Sequence, residues 1–474
     1  MPAVSRFRRL LTSNITASAV QQGTQILAGL GLQIYLARSF TKGEFGTIAF
    51  IGSVLAMITF IVQMRVGPLI ARNVARDPDS ASTWMARGQA ITITLAPLGF
   101  ILSALWVAAQ DGRPIVIVAA LVASLGLFFN GMMVIADAVL QGLSRLAPIG
   151  PAWIVGRLTM VIATIIAVEL GGSVVSVYGG QALGLAIVMG MLLVAVRKQV
   201  GPWPNRVPLP DMTDLMKAGI PFAGVQLFGS IYLLADVILL EYLRGEEEVA
   251  VYRVASLAVV HLPVLSFIVL RGLYPRMAAL HGKLEKAGEE LTFAIHVLLV
   301  LSLPLAVGGM LVAEPLVVAA IDDRYASAAL PMLWLLPMVP LRFLSNATGM
   351  TMNALDLPAL RARGLAVAAI GNVALNIVLI PKYGAAAAAA TTLAADIFLV
   401  AFQAWAVRRV ATSVDYVTPV IKLIPALIAM TAVVLATPSL HVFIRVGLGG
   451  LVYGVIVVAM RLVTRSDLAR LVRL

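Results

Sequence analysis

The chain has 474 residues, of which 60% are hydrophobic and only 12% are charged, with a mean hydropathy of +0.97. Soluble globular proteins carry about 25% charged residues, so the composition excludes a soluble globular fold and indicates a polytopic membrane protein. The formal net charge of +12 lies in short loops between apolar segments, which indicates membrane topology rather than a nucleic-acid partner, and the absence of cysteine excludes disulfides, thiolate metal sites and cysteine nucleophiles.

Apolar segments long enough to cross a bilayer follow one another along the whole chain. A crossing needs about 20 apolar residues, and each must be helical, because a helix satisfies its own backbone hydrogen bonds in lipid. We predict fourteen spans with both termini in the cytoplasm, since most of the 35 basic residues then lie in inner loops. The predicted spans are 14–37, 47–70, 87–109, 115–142, 149–169, 173–196, 215–241, 249–270, 291–318, 328–352, 363–380, 385–407, 418–437 and 442–461.

The openings of the two halves are alike at an offset of 206 residues, which aligns Arg38 with Arg244 and Arg65 with Arg271. Secondary transporters are commonly built from such repeats, and parallel repeats are related by an axis along the membrane normal. We therefore predict two pseudo-symmetric lobes that rock against each other around a site between them. The predicted divisions are an N-terminal lobe 1–200 with spans one to six, a Pro-rich cytoplasmic linker 201–217, a C-terminal lobe 218–410 with spans seven to twelve, and 411–474 with the last two spans and a cytoplasmic tail.

Three segments carry a family resemblance. They read LQIYLARSFTKGEFGTIAF (32–50), IDDRYASAALPMLWLL (321–336) and GNVALNIVLIPKYGAAAAAATTLAADIF (371–398). These resemble polysaccharide flippases of the multidrug/oligosaccharidyl-lipid/polysaccharide exporter superfamily, most clearly in the Asn-rich helix, the Ile-Pro-Lys-Tyr-Gly turn and the small-residue helix that follows. The resemblance implies an all-α, MATE-like fold with two six-helix lobes plus two C-terminal helices. It implies a class of substrate and no particular one.

The segment around Ile-Pro-Lys-Tyr-Gly predicts a tight helical hairpin. Pro381 lacks a backbone donor and is expected to end the eleventh span, while Gly384 permits the reversal of the backbone. The six alanines that follow, with Thr391 and Thr392, give a smooth surface that a neighbouring helix can approach closely. We interpret this stretch as structural rather than as a site.

Ionisable residues within the spans are functional hypotheses, because a charge deep in a bilayer is costly. Asp137 and Arg157 lie at similar distances from the turn between spans four and five, which predicts an ion pair or, alternatively, a substrate or gating role. Arg342 and Asp396 fall near mid-depth on spans ten and twelve. They either pair and hold two helices together, or Arg342 attracts an anionic headgroup while Asp396 carries a coupling proton.

Three further residues complete the candidate set. Asp236 in span seven is either a coupling carboxylate or a residue paired near the surface, and Arg65 and Arg271 at the inner ends of the two lobes either meet an anionic headgroup or signal topology. The candidate substrate-binding residues are thus Arg342, Arg157, Arg65 and Arg271, and the candidate ion-coupling residues are Asp396, Asp236 and Asp137. No metal site and no cofactor are predicted.

The resemblance implies a flippase that moves an undecaprenyl-diphosphate-linked oligosaccharide from the cytoplasmic to the periplasmic leaflet of the bacterial inner membrane. Alternating access with ion coupling is expected, with a polysaccharide polymerase as a candidate partner. The alternatives are a lipid II flippase and a drug/cation antiporter of the same superfamily. An enzyme such as a membrane glycosyltransferase or polymerase is a further alternative, but it would need a larger outer loop than SFTKGEFG.

Overall fold

The computed structural model describes residues 26–204, 207–267, 284–355, 357–411 and 413–462, together with Gly23 and residues 269–270. Within these ranges every regular element is a helix. The prediction of an all-α membrane protein is therefore confirmed.

The α-helices follow one another along the chain, and two 3₁₀ turns, Pro78–Ser80 and Asp323–Ala328, lie between them. They are α1 Ile26–Ser39, α2 Lys42–Gln63, α3 Gly67–Arg76, α4 Ala81–Gln110, α5 Pro114–Gly142, α6 Ile149–Glu169, α7 Val174–Val200, α8 Leu209–Arg244, α9 Glu246–His261, α10 Leu284–Leu311, α11 Ala313–Ala320, α12 Ala329–Leu335, α13 Met338–Ala354, α14 Pro358–Arg408, α15 Thr418–Ala436 and α16 Val442–Ala459.

Nine helical segments of the described residues are long and apolar enough to cross a membrane, and up to eleven if two bent helix pairs count as one span each. One of the nine is α14, whose 51 residues include non-helical backbone at Gly384. A straight helix of that length would exceed twice the bilayer's hydrocarbon thickness of about 30 Å, so its arms, 358–383 and 385–408, are two crossings. The count of fourteen spans stays a prediction.

The chain divides into two compact units, Met1–Leu234 and Ala235–Leu474. In the first unit α5 packs against α3, α4 and α7, and α6 lies along α7. The contact between α6 and α7 is close because of two glycines: a Cβ on Gly156 would lie 2.7 Å from the carbonyl oxygen of Gly184. Such small-residue contacts are typical of helix packing in membranes.

In the second unit α10 packs against α13 and α15, while α12 and α13 pack against α14. The reversal within α14 occurs at Gly384, whose φ of 55° and ψ of −136° suit glycine. A Cβ there would also lie 2.8 Å from the carboxyl carbon of Glu248, which accepts a hydrogen bond from the Ala385 amide at 2.7 Å. Pro381 does not end the first arm as predicted, because the helix continues through it and breaks only where φ turns positive.

Candidate functional site

A buried carboxylate on α8, Asp236, is the centre of the candidate site. Its side chain is buried with 2% of its surface exposed. Oδ1 accepts a hydrogen bond from Asn376 Nδ2 at 2.6 Å, and Oδ2 accepts from the hydroxyls of Tyr252 and Thr392, both at 2.6 Å. A charge buried without such partners would be strongly destabilising, so these donors make it possible to hold a carboxylate inside the helix bundle.

The hairpin of α14 brings two of these donors to the same depth. Asn376 lies eight residues before Gly384 on the first arm, and Thr392 lies eight residues after it on the second. At a rise of about 1.5 Å per residue, both side chains are about 12 Å from the turn. The tight reversal therefore places an amide and a hydroxyl side by side, facing α8.

The hydrogen bonds around Asp236 extend into a larger polar network. Asn376 Nδ2 also contacts Asn372 Oδ1 at 3.1 Å, Asn372 Nδ2 contacts Thr392 Oγ1 at 3.3 Å, and the Thr391 hydroxyl donates to Asn376 Oδ1. All of these side chains are buried. We call this set the carboxylate network; its members are Asp236, Tyr252, Asn372, Asn376, Thr391 and Thr392.

The hydrogen atoms of the carboxylate network can be arranged in more than one way. Thr392 Oγ1 lies 2.6 Å from Asp236 Oδ2 and 2.7 Å from the Ala388 carbonyl oxygen, yet a hydroxyl has one hydrogen to donate. If that hydrogen goes to Ala388, a proton on Asp236 would restore the bond to Thr392. When Asp236 is ionised, Thr392 donates to only one of these two oxygens, and when Asp236 carries a proton both contacts are hydrogen bonds, so the network can bind and release one proton. A small hard cation, which prefers oxygen ligands, could replace that proton if the Asn376 amide turned its oxygen towards Asp236.

An ion pair lies beside the network in the same unit. Arg342 Nε on α13 donates to Asp396 Oδ2 on the second arm of α14 at 3.0 Å, with 19% and 4% of the two side chains exposed. Asp396 lies four residues after Thr392 on the same arm, so the ion pair is one helical turn from the carboxylate network. The pairing between two helices, one of the two alternatives for Arg342 and Asp396, is therefore present in the structure, while their roles in headgroup attraction and proton coupling stay predictions. The structure brings three of the candidate residues, Asp236, Arg342 and Asp396, into one cluster.

The ion pair expected between Asp137 and Arg157 does not form. Asp137 accepts a hydrogen bond from Gln141 at 3.1 Å and Arg157 contacts the sulfur of Met160 at 3.7 Å. Asp137 lies five residues before the end of α5 and Arg157 eight residues after the start of α6, which puts them about 8 Å and about 12 Å from the helix ends. Each also keeps one buried polar atom, Asp137 Oδ1 and Arg157 Nε, without a hydrogen-bond partner among the described residues.

Arg65 and Arg271 are the two arginines predicted at the inner ends of the lobes. Arg65 is exposed and lies in the break between α2 and α3, where Met64 and Arg65 have positive φ angles of 44° and 50°. Non-glycine residues rarely adopt this conformation, which costs about 1–2 kcal/mol per residue. Arg271 lies outside the described residues.

Two features of the site were missed by the sequence reasoning. Tyr252 was not singled out, and Thr391 and Thr392 were assigned to hairpin packing alone. The equal spacing of Asn376 and Thr392 from Gly384 is the signal that could have found the cluster. Among the described residues, no group of three or more His, Cys, Asp or Glu side chains could hold a metal ion.

Comparisons with known proteins agree with this architecture. The family model described as polysaccharide biosynthesis protein matches residues 11–281. Among curated protein sequences, none matches this chain significantly.

Solved structures with the same fold include the lipid II flippase MurJ in an inward closed conformation, with a TM-score of 0.75 at 15% identity over 92% of this chain and 97% of that chain. An inward-facing multidrug resistance MATE family transporter of the MOP superfamily has a TM-score of 0.67 at 15% identity over 81% and 94%. A MOP superfamily transporter from Pyrococcus furiosus has a TM-score of 0.58 at 15% identity over 84% and 96%. These proteins are flippases and transporters rather than enzymes.

Proposed function

This chain belongs to the polysaccharide biosynthesis protein family, within the MOP superfamily of flippases and transporters, and we propose that it flips an undecaprenyl-diphosphate-linked oligosaccharide. The cargo would move from the cytoplasmic to the periplasmic leaflet of a bacterial inner membrane, by alternating access, for the synthesis of a surface polysaccharide such as an O-antigen or an exopolysaccharide. Both termini would lie in the cytoplasm, and a polysaccharide polymerase would take over the product.

The observation that carries the mechanistic part is the buried carboxylate of Asp236. A carboxylate that three donors from α9 and α14 hold inside an apolar bundle is well suited to bind and release a proton or a small cation. Its three donors lie on α9 and α14, so a conformational change that moved either helix relative to α8 would alter the hydrogen bonds of Asp236. We therefore propose Asp236 as the ion-coupling residue, with Asp396 and Asp137 as further candidates.

The cationic candidates suit an anionic cargo. We propose that Arg342, Arg157, Arg65 and Arg271 attract the diphosphate at successive stages, with Arg342 as the central one. Arg342 is held by Asp396 in this structure, so a diphosphate would compete with that carboxylate for the guanidinium. The membrane potential assists outward movement of the cargo, since each negative charge gains about 2.3 kcal/mol per 100 mV.

The test of ion coupling is a transport assay with the purified protein in proteoliposomes. A fluorescent lipid-linked oligosaccharide is supplied on one side, and its translocation is followed under an imposed proton or sodium gradient. For Asp236→Asn, which removes the charge but keeps the shape, we expect the stimulation by the effective gradient to fall at least tenfold. Glu247→Gln is the matched control, because Glu247 is an exposed carboxylate on α9. An undiminished response of Asp236→Asn to both gradients would refute the assignment.

A second candidate function is supported by the similarity to MurJ, a lipid II flippase. Lipid II would present the same diphosphate to the same arginines, so the two substrates differ in their sugars. Deleting the gene and identifying the lipid-linked glycan that accumulates on the cytoplasmic face distinguishes them. Accumulation of lipid II, with surface polysaccharide unchanged, would favour this second candidate.

A further inference from the structure

A small charged pocket lies in the first unit, where α4 and α8 begin. Its volume is about 220 Å³, and α3, α4 and α8 all contribute side chains to it. Its apolar floor includes Leu69 and Leu215. The polar and aromatic lining residues are Arg72, Asn73, Trp84, Arg87, Asp211 and Asp214.

Only two of the four charged side chains of this pocket form an ion pair with each other among the described residues. Arg87 Nη2 pairs with Asp211 Oδ2 at 2.7 Å, while Arg87 Nε is buried without a hydrogen-bond partner among the described residues. The Arg87 guanidinium also lies 5.0 Å from the centre of the Trp84 ring. Arg72 and Asp214 form no hydrogen bond or ion pair with any residue that the structure describes. A guanidinium, a carboxylate and half of a second guanidinium therefore remain available to a ligand.

Equal numbers of guanidinium and carboxylate groups suit a ligand that carries both signs of charge. A phosphate would bind the planar guanidinium groups, which present paired donors. A primary ammonium would then bind the carboxylates. A diphosphate would instead bring two or more negative charges next to the carboxylates of Asp211 and Asp214, and charges of the same sign repel each other. The pocket is thus better matched to a zwitterion than to the anionic cargo proposed above.

The position of the pocket matches a lipid headgroup. Two apolar helices begin there with charged residues, and Trp84 is of a residue type that is enriched where lipid meets water. Further along the same helices lies an apolar groove of about 450 Å³, lined by four residues of α2, by Leu102, Leu105 and Trp106 of α4, and by Leu227 of α8. Leu102 is fifteen residues beyond Arg87, or about 22 Å along α4, a distance that an extended acyl chain can span.

From these observations we propose that the pocket binds the phosphoethanolamine headgroup of a zwitterionic phospholipid, with an acyl chain along α4 and α8. The phosphate contacts Arg72 and the guanidinium of Arg87, whose side chain is 27% exposed, and the ammonium contacts Asp211 and Asp214. Such a lipid fastens the start of α8 to α3 and α4. This site is separate from the carboxylate network and does not depend on the cargo.

The test is native mass spectrometry of the purified full-length protein titrated with defined phospholipids. We expect phosphatidylethanolamine to bind at least tenfold more tightly than phosphatidylcholine, whose quaternary ammonium cannot donate hydrogen bonds. We expect the same margin over phosphatidylglycerol, which lacks the cation. The variants Arg72→Gln and Asp214→Asn should each remove this preference. Both residues have no partner among the described side chains, so the fold should not depend on them.

Arg76→Gln and Asp79→Asn are the matched controls, because both residues are exposed at the same end of the helices and do not line the pocket. They should bind phosphatidylethanolamine as the natural chain does. Equal or tighter binding of phosphatidylglycerol, or an unchanged preference in Arg72→Gln and Asp214→Asn, would overturn the proposal. Soluble glycerophosphoethanolamine separates the two sources of the headgroup. If glycerophosphoethanolamine displaced phosphatidylethanolamine when the two were present at the same concentration, the lipid would be ruled out as the ligand.

Discussion

The hairpin at Gly384 offers the sharpest test of how the site is built, through the variant Gly384→Ala. The backbone there has φ 55° and ψ −136°, a region that a residue with a Cβ adopts at a cost of about 1–3 kcal/mol. The new Cβ would also lie 2.8 Å from the Glu248 carboxyl carbon and force that side chain away from the Ala385 amide.

The loss of the hydrogen bond between Glu248 and the Ala385 amide adds a second cost. A hydrogen bond to a charged group contributes about 1.5–3 kcal/mol, so we expect Gly384→Ala to lower the free energy of unfolding by about 2.5–6 kcal/mol in total. Glu248→Ala loses this hydrogen bond and a partly exposed ion pair with Arg244 at 3.7 Å, which contributes little, but it adds no backbone strain. In the double variant the bond is lost once and the steric conflict disappears, so the two single effects should exceed the effect of the double variant.

Equilibrium unfolding of the purified protein in mixed micelles, followed by tryptophan fluorescence, measures these differences. Gly371→Ala is the matched control, because Gly371 lies on the first arm of α14 and a Cβ there meets no atom within 4 Å. That change should stabilise the helix by about 0.5–1 kcal/mol. A loss below about 1 kcal/mol for Gly384→Ala, at the low end of the strain estimate, or strict additivity with Glu248→Ala, would refute the reasoning.

Two other substitutions test the cationic candidate and the capping of a helix. Arg342→Ala removes the guanidinium proposed to bind the diphosphate, so we expect at least a tenfold rise in KM for the lipid-linked substrate in the proteoliposome assay. Arg342→Lys, which keeps the charge, should be milder, and Arg363→Ala, which removes an exposed arginine of the same unit, should have no effect. A normal KM for Arg342→Ala at normal expression would remove Arg342 from the substrate path. Hydrogen bonds from the Thr418 side chain and from the Thr418 and Val417 amides lower the pKa of Asp415, which caps the start of α15. Asp415→Ala should therefore cost about 1 kcal/mol near pH 7. The difference from the natural chain should begin to shrink as pH falls below the ordinary Asp pKa of about 3.9 and should be lost once pH passes below the lowered pKa of the folded state; a difference that is unchanged at low pH would contradict this origin.

The fold was accessible from the sequence because the bilayer imposes a simple rule on it. An apolar run must form a helix to satisfy its own backbone, so hydropathy alone predicts an all-α protein. The ionisable candidates were accessible for a related reason, since a charge in an apolar run is conspicuous. Asp236, Arg342 and Asp396 were found in this way.

The uncharged members of the carboxylate network were harder to recognise. Asn372, Asn376 and Thr392 could equally have joined helices by ordinary hydrogen bonds, and a sequence gives no sign of which helix a polar side chain faces. Tyr252 is buried on α9 with its hydroxyl on Asp236, a contact between residues sixteen positions apart on two different helices. Such a contact depends on how the helices pack.

Counting residues from a turn would have found the facing residues at one hairpin and failed at another, and the turns explain the difference. At Gly384 a single residue reverses the chain, so equal counts place Asn376 and Thr392 at equal depth. Between α5 and α6 the connection runs from 143 to 148, and its midpoint does not mark the helix ends. Equal depth in the membrane also does not determine which side of its helix a residue lies on. Asp137 and Arg157 therefore need not contact each other, and they do not.

The same hairpin connects the structural prediction to the proposed mechanism. Glu248 and Tyr252 are four residues apart on α9 and therefore lie on one face of the helix. Glu248 binds the start of the second arm at Ala385, and Tyr252 donates to Asp236 one turn further along. A shift of α9 against α8 and α14 would disturb both contacts together. Protonation or cation binding at Asp236 would alter its hydrogen bond with Tyr252. Because α9 also carries Glu248, a displacement of α9 would change the contact with Ala385 at the hairpin, so ion binding could shift the position of α14 in the second unit.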